Sequence, residues 1–426
     1  MNIYIVGGGI VRKIISFILV VFILIWSYNL FINNFIELEE VVEEPYKGII
    51  KIREMDIEGF SKWIRPKIRT FEKYNPGVYI QLIPIDEKDT EDIIPINLRL
   101  SNFNALEALD KYFEKEELED FREQAIKPLY YNEELLGVPI ALTTYSMYIN
   151  LDKFNERGIS SPLNGNWTYE EFIETLKKFT QSSQDNDIIK EYGLLAPMDI
   201  GNYNIGGLVL SHGGEFINYK RLKYNFYGEK AIKGLEELID LKFKHGILPD
   251  FFGIINEEIS QEMFYKDQNV AVYIGDSRFV RYLDNQYKAG NGFNFDIANF
   301  PTEDKNLPTI LSDGIFSYGI TKSEDPKKVE MCAKFLKYLT KSSNQKTLED
   351  MGLFTVKNNI KDMYMDNIKM KGIEESLNYT IYIPLMENYS EIEKIVYREI
   401  KSAILGEKKS YEAIEDAKTK VEGLSK

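Results

Sequence analysis

The sequence predicts an α/β protein of two globular units behind a membrane-spanning N-terminal helix. Three observations predict it. The chain has 426 residues, more than one hydrophobic core of roughly 250–300 residues organises. Strand-like and helix-like patterns alternate from about residue 46. Near the N-terminus an apolar run proceeds without a charge.

The apolar run covers residues 14–32, IISFILVVFILIWSYNLFI. At about 1.5 Å per residue it reaches about 28 Å, close to the hydrocarbon thickness of a bilayer. It lacks the polar face of a core helix between positions 14 and 25. Arg12 and Lys13 precede it, and Glu37, Glu39, Glu40, Glu43 and Glu44 follow it. Basic residues stay on the cytoplasmic side, so the bulk of the chain is expected outside the cell. No A-x-A-like cleavage site follows the run, and the one cysteine, Cys332, is too distant to carry a lipid. An uncleaved single-pass anchor is therefore expected.

Composition excludes several functions. The net charge of −15 repels nucleic acid, and no basic stripe offsets it. One cysteine excludes an intrachain disulfide. Cys332 lies in the helical apolar pattern Val329, Ala333, Leu336, Leu339 and reads as a small buried hydrophobe. Two histidines, His212 and His245, give no zinc-binding spacing. No metal and no cofactor is expected. There is no phosphate loop and no nucleophile elbow.

Within the ectodomain, GIIKI at 48–52 reads as a strand. A helix follows, which Pro66 starts or kinks, and it ends before the turn signal Asn75-Pro76-Gly77. A β-rich run at 78–85 completes a parallel strand-helix-strand unit. Thr168 and Glu171 form a capping box for the next clear helix, with Trp167 and Phe172 at the positions of a hydrophobic staple. Asp325-Pro326 starts another helix, and Gly352 ends one. No linker separates two units, so the chain is expected to cross between them several times.

Four segments carry a family resemblance. They are FEKYNPGVYIQL (71–82), YNEELLGVPIALTTYSMYINLDKFNERGI (131–159) followed by NWTYEEFIETLKKFT (166–180), MFYKDQNVAVYIGDSRFV (263–280) and DGIFSYGITKSEDPKKVEMCAKFLKYLT (313–340). Their order and spacing resemble the extracellular solute-binding proteins of family 1, which serve ATP-binding-cassette importers of sugars. LGEKKSYEAIEDA (405–417) looks like that family's closing helix. The resemblance implies a two-lobed, periplasmic-binding-protein-like fold of type II with a hinge between the lobes. It divides the chain into a cytoplasmic 1–13, an anchor 14–32, an acidic linker 33–45, a first lobe of 46–142 plus 312–345, and a second lobe of 143–311 plus 346–426. Crossings are expected near 143–147, 301–312 and 341–354. One departure stands out. EKDTEDIIPINLRLSNF (87–103) is short and lacks the family's glycine-proline-aspartate turn, so the first lobe is expected to lack a helix and a cleft-lining loop.

The implied function is capture of a small solute, a mono- or oligosaccharide, and its delivery to membrane permease subunits by a monomeric, non-enzymatic protein. Sugars are held by aromatic faces and networks of side-chain hydrogen bonds. The candidate ligand-binding residues are Asp56 and Glu58 after the first strand, Thr144 and Tyr145 at the first crossing, Asn202, Tyr203 and Asn204 in a turn-prone loop, Tyr273, Asp276 and Arg278 in the third segment, and Asp313 at the second crossing. Two other functions fit the sequence less well. A sensing receptor would use the same fold and tether. A glycoside hydrolase would need two carboxylates about 5–9.5 Å apart, a spacing that no motif here supplies.

Overall fold

A computed structural model describes residues 8–35, 45–87, 89–100, 102–180, 191–303, 308–361 and 363–424. The chain divides into two units, residues 1–46 and 47–426. The first holds the helix Gly8–Phe35. Its stretch Lys13–Leu30 is long and apolar enough to cross a membrane, and its side chains are exposed. Most of the acidic linker expected at 33–45 lies outside the described residues.

The second unit is built on two sheets. The first runs in the order Val78–Ile83, Gly48–Arg53, Ile93–Ile96, Ile315–Ile320, Val138–Leu142. Gly48–Arg53 pairs in parallel with Val78–Ile83, Ile50 opposite Ile80. Helix Phe60–Tyr74 makes the crossover, as the strand-helix-strand pattern requires. Pro66 sits inside this helix, not at its start. The helix enters through Gly59 at φ 84°, a left-handed conformation that glycine adopts freely. Among the described residues, no helix joins Ile83 to Ile93. The short sequence predicts this missing helix. It also predicts a missing cleft-lining loop, but Asn97, Leu98 and Arg99 after Ile96 do line a cavity.

The second sheet runs Phe295–Ala298, Tyr145–Asn150, Val270–Asp276, Tyr192–Leu195. Helix Tyr169–Lys177 packs beside it. Thr168 Oγ1 accepts from Glu171 N–H at 3.1 Å, and Glu171 accepts from Thr168 N–H at 2.9 Å. Trp167 and Phe172 meet edge to face at 5.1 Å. Both sequence signals thus form. The helices Tyr389–Ile404 and Ser410–Gly423 pack on each other and on Glu229–Phe243. Asp325 caps Pro326–Leu339 by accepting from Lys327 and Lys328 N–H, and Cys332 is buried there.

Val138–Leu142 belongs to the first sheet and Tyr145–Asn150 to the second, so Thr143 and Thr144 alone make that crossing. Ile310–Ser312 pairs in parallel with Thr380–Tyr382 at the return. Residues 346–361, which the sequence assigns to the second lobe, make first-lobe contacts. Phe354 and Leu142 exchange backbone bonds of 2.8 and 2.9 Å, and Arg122 N–H donates to Val356 O. The next helix, Ile368–Ser376, lies on the second sheet, with Lys369 Nζ 3.5 Å above the Phe295 ring.

Buried hydroxyls tie the crossings together. Ser277 Oγ donates to Gly352 O at 2.7 Å. Its single proton is thereby committed, so Thr143 Oγ1 is the donor in their 2.8 Å contact. By the same count Thr144 Oγ1 donates to Thr380 Oγ1 at 2.6 Å, because Thr380 donates to Ser376 O. Tyr382 Oη donates to Thr143 O at 2.9 Å. Ser277→Ala removes two of these bonds and leaves the Gly352 carbonyl without that donor. It is expected to destabilise the protein by about 1–3 kcal/mol, measured by urea unfolding against the wild type.

Candidate functional site

The candidate residues converge on the crossings. Asp276 ends the strand Val270–Asp276 and stands opposite Tyr145 in the antiparallel register. Arg278 turns back onto Asp276: its backbone N–H donates to Asp276 Oδ1 at 2.8 Å, and its Nε reaches the two carboxylate oxygens at 3.1 and 3.0 Å. The guanidinium lies 5.8 Å from the ring centre of Phe316, on the first sheet. Tyr145 Oη accepts from Tyr203 N–H at 3.5 Å. Asp313 follows the strand Ile310–Ser312 into the same region and is half-buried. Removal from water pushes its carboxyl up to about 6, against the pull of its own backbone N–H and of Arg99.

Arg99 and Glu393 complete the cluster, and sequence reasoning missed both. Arg99 stands in the loop after Ile93–Ile96, where the first lobe is trimmed. Its Nε and Nη2 donate to Glu393 at 2.8 and 3.0 Å. Glu393 is buried in the helix Tyr389–Ile404 and also accepts from Tyr203 Oη at 2.5 Å. Tyr389 Oη joins the Tyr203 hydroxyl. Gly201, at φ 87°, allows the approach: a Cβ there would stand 1.8 Å from Arg99 Nη2. The partners lie 294 residues apart, so no local motif could pair them.

Three cavities take in most of the candidates. One, of about 210 Å³, has Asp56, Arg99, Asp313 and Glu393 in its lining. A second, of about 230 Å³, is lined by Glu58, Asp276 and Arg278 together with Glu257. A third, of about 70 Å³, has Asn202 and Tyr203 beside Glu393.

Three candidates lie elsewhere. Thr144 is fully buried in the hydroxyl network. Asn204 is buried and donates to Ile274 O at 3.0 Å, tying its loop to the second sheet. Tyr273 is fully buried, its ring 5.4 Å from Phe264 and 5.1 Å from Phe279. Strand alternation turns it to the face opposite Asp276, into the core. Phe316, half-buried on the first sheet, is the aromatic ring in the lining of the cavity that holds Asp56 and Asp313.

Among the described residues, no group of three or more His, Cys, Asp or Glu side chains is placed to hold a metal ion. Carboxylates accept and guanidinium groups donate, so the cluster can bond neutral hydroxyls in both senses.

Known proteins share this fold. Maltose-bound MalE3 of T. maritima superposes with a TM-score of 0.71 at 17% identity, covering 88% of this chain and 99% of that one. A substrate-binding protein from Listeria monocytogenes in complex with cycloalternan gives 0.71 at 16%, covering 89% and 99%. The cyclic α-maltosyl-1,6-maltose binding protein from Arthrobacter globiformis gives 0.72 at 14%, covering 88% and 98%. A binding protein of Brucella abortus (strain 2308) is 25% identical over 385 residues, 84% of this chain and 88% of the relative. The family model described as bacterial extracellular solute-binding protein matches residues 68–373. With that match covering more than half of the chain, the chain belongs to the bacterial extracellular solute-binding proteins.

Proposed function

We propose that this protein captures a carbohydrate between its lobes by hinge closure and passes it to an ATP-binding-cassette permease. The Gly8–Phe35 helix holds it at the outer face of the membrane, which keeps it near a partner in the same bilayer. The protein acts by binding and release and transforms nothing. The observation that carries this reading is the gathering of polar side chains from both lobes at the crossings: Asp56, Arg99 and Asp313 from one side, Tyr145, Asp276, Arg278 and Glu393 from the other. Supporting it, one similar structure is bound to maltose, another is in complex with cycloalternan, and a third is a cyclic α-maltosyl-1,6-maltose binding protein.

Calorimetry against a panel of mono- and oligosaccharides tests the reading. At least one is expected to bind with a dissociation constant in the micromolar range or tighter, equivalent to about −8 kcal/mol. Silence across the panel would overturn it.

The Arg99–Glu393 pair links the lobes, so it should bias closure. Glu393→Arg is expected to shift the ligand-free balance toward the open form by about 1.5–3 kcal/mol. The measurement is the distance between spin labels on the two lobes. The double variant Arg99→Glu with Glu393→Arg should restore the short distance.

Asp313 sets the pH dependence. Its carboxyl is raised to about 6, so above that pH it is a carboxylate that accepts from ligand hydroxyls. Below it the group gains a proton and loses an acceptor. Affinity is expected to fall as pH drops through about 6, by at most about tenfold per unit for one proton. Asp313→Asn should flatten that slope in calorimetric titrations.

A further inference from the structure

We infer that the ligand of this cleft carries an apolar substituent, an alkyl or aryl group on its sugar, which enters the cavity beneath Asp56 and Asp313. The inference rests on the carbohydrate reading above and names the chemistry of one end of that ligand. The cavity of about 210 Å³ is walled by Ile96, Leu98, Leu129, Ile315, Phe316 and Leu385. Ile96, Leu129 and Leu385 are at most 5% exposed, so these walls belong to the rigid core of the first lobe. Phe316 is the one aromatic ring in the lining, and a bare pyranose would find no second face to stack on.

The polar members of the lining are largely engaged with the protein. Asn97 Oδ1 accepts from Arg99 N–H at 2.9 Å. Ser317 Oγ donates to Ile96 O at 3.4 Å. Glu393 holds Arg99 and Tyr203. Asp56 and Asp313 remain to meet ligand hydroxyls. A sugar hydroxyl pressed against the aliphatic walls would lose its bonds to water without replacement, which weakens binding by about five- to a hundredfold. An apolar group gains there instead. For scale, an apolar cavity of about 150 Å³ accepts benzene, so this one holds a phenyl ring or a short alkyl chain. The loop after Ile96 puts both Leu98 and Arg99 into the lining.

The test is calorimetry of the full chain in lipid nanodiscs with glucose, galactose, mannose and maltose, each free and as its methyl and butyl glycoside. The butyl form of the bound sugar is expected to bind about fiftyfold more tightly than the methyl form, at about fourfold per buried methylene. Leu98→Trp, which fills the cavity, should erase that gain, so that the methyl and butyl forms bind alike. Equal affinity of methyl and butyl forms in the wild type overturns the inference and leaves carbohydrate capture standing. A butyl gain that persists in a folded Leu98→Trp variant also overturns it, because the chain then binds elsewhere. Failure of every sugar, substituted or free, overturns both readings.

Discussion

The hydroxyl network at the crossings is the constraint on which the lobes and the site depend. Chain that passes between two sheets leaves both ladders, and its peptide groups must find partners off the sheets or lose their hydration uncompensated. Thr143 N–H donates to Gly314 O at 2.9 Å, and Ser277 N–H donates to Thr144 O at 3.0 Å. Side-chain hydroxyls of Thr143, Thr144, Ser277, Thr380 and Tyr382 complete the set. Threonine and serine suit this role because one small group both donates and accepts. The network fixes where the strand Tyr145–Asn150 begins. That start sets Tyr145 opposite Asp276 and brings Asp313 in beside them.

Charge is deployed at this site mostly in pairs. Arg278 neutralises Asp276 from two residues away, and Arg99 neutralises Glu393 from the other lobe. Removing Arg99 would leave the buried Glu393 carboxylate without its cation, which costs more than the intact pair contributes. Asp313 stands apart in kind: its carboxyl is raised, chiefly by loss of water.

The trimmed first lobe connects these facts. Between the second and third strands no helix is present among the described residues, and the loop after Ile96 carries Arg99 to Glu393. Arg99 crosses to Glu393 over Gly201, while Leu98 faces an aliphatic cavity. One shortened segment thus changes both the bridge between lobes and the chemistry of the pocket.

What the sequence determined by itself is whatever short-range physics writes locally. The uncharged run at 14–32, the Thr168 capping box, the Asp325 cap and the strand-helix-strand unit at 48–83 are each decided by residues within a few turns of one another. The two-lobed fold was legible by a different route, as what the family resemblance of the four ordered segments implies. The tertiary structure alone decided which polar groups meet. Tyr273 looked like a cleft aromatic, yet sheet pleating and the rings of Phe264 and Phe279 take it into the core. Arg99 and Glu393 carry no local sequence signal, and folding across 294 residues makes them a bridge. Caps and periodicities act over one or two helical turns, while a binding site is made of contacts that exist only after the chain has closed its longest loops.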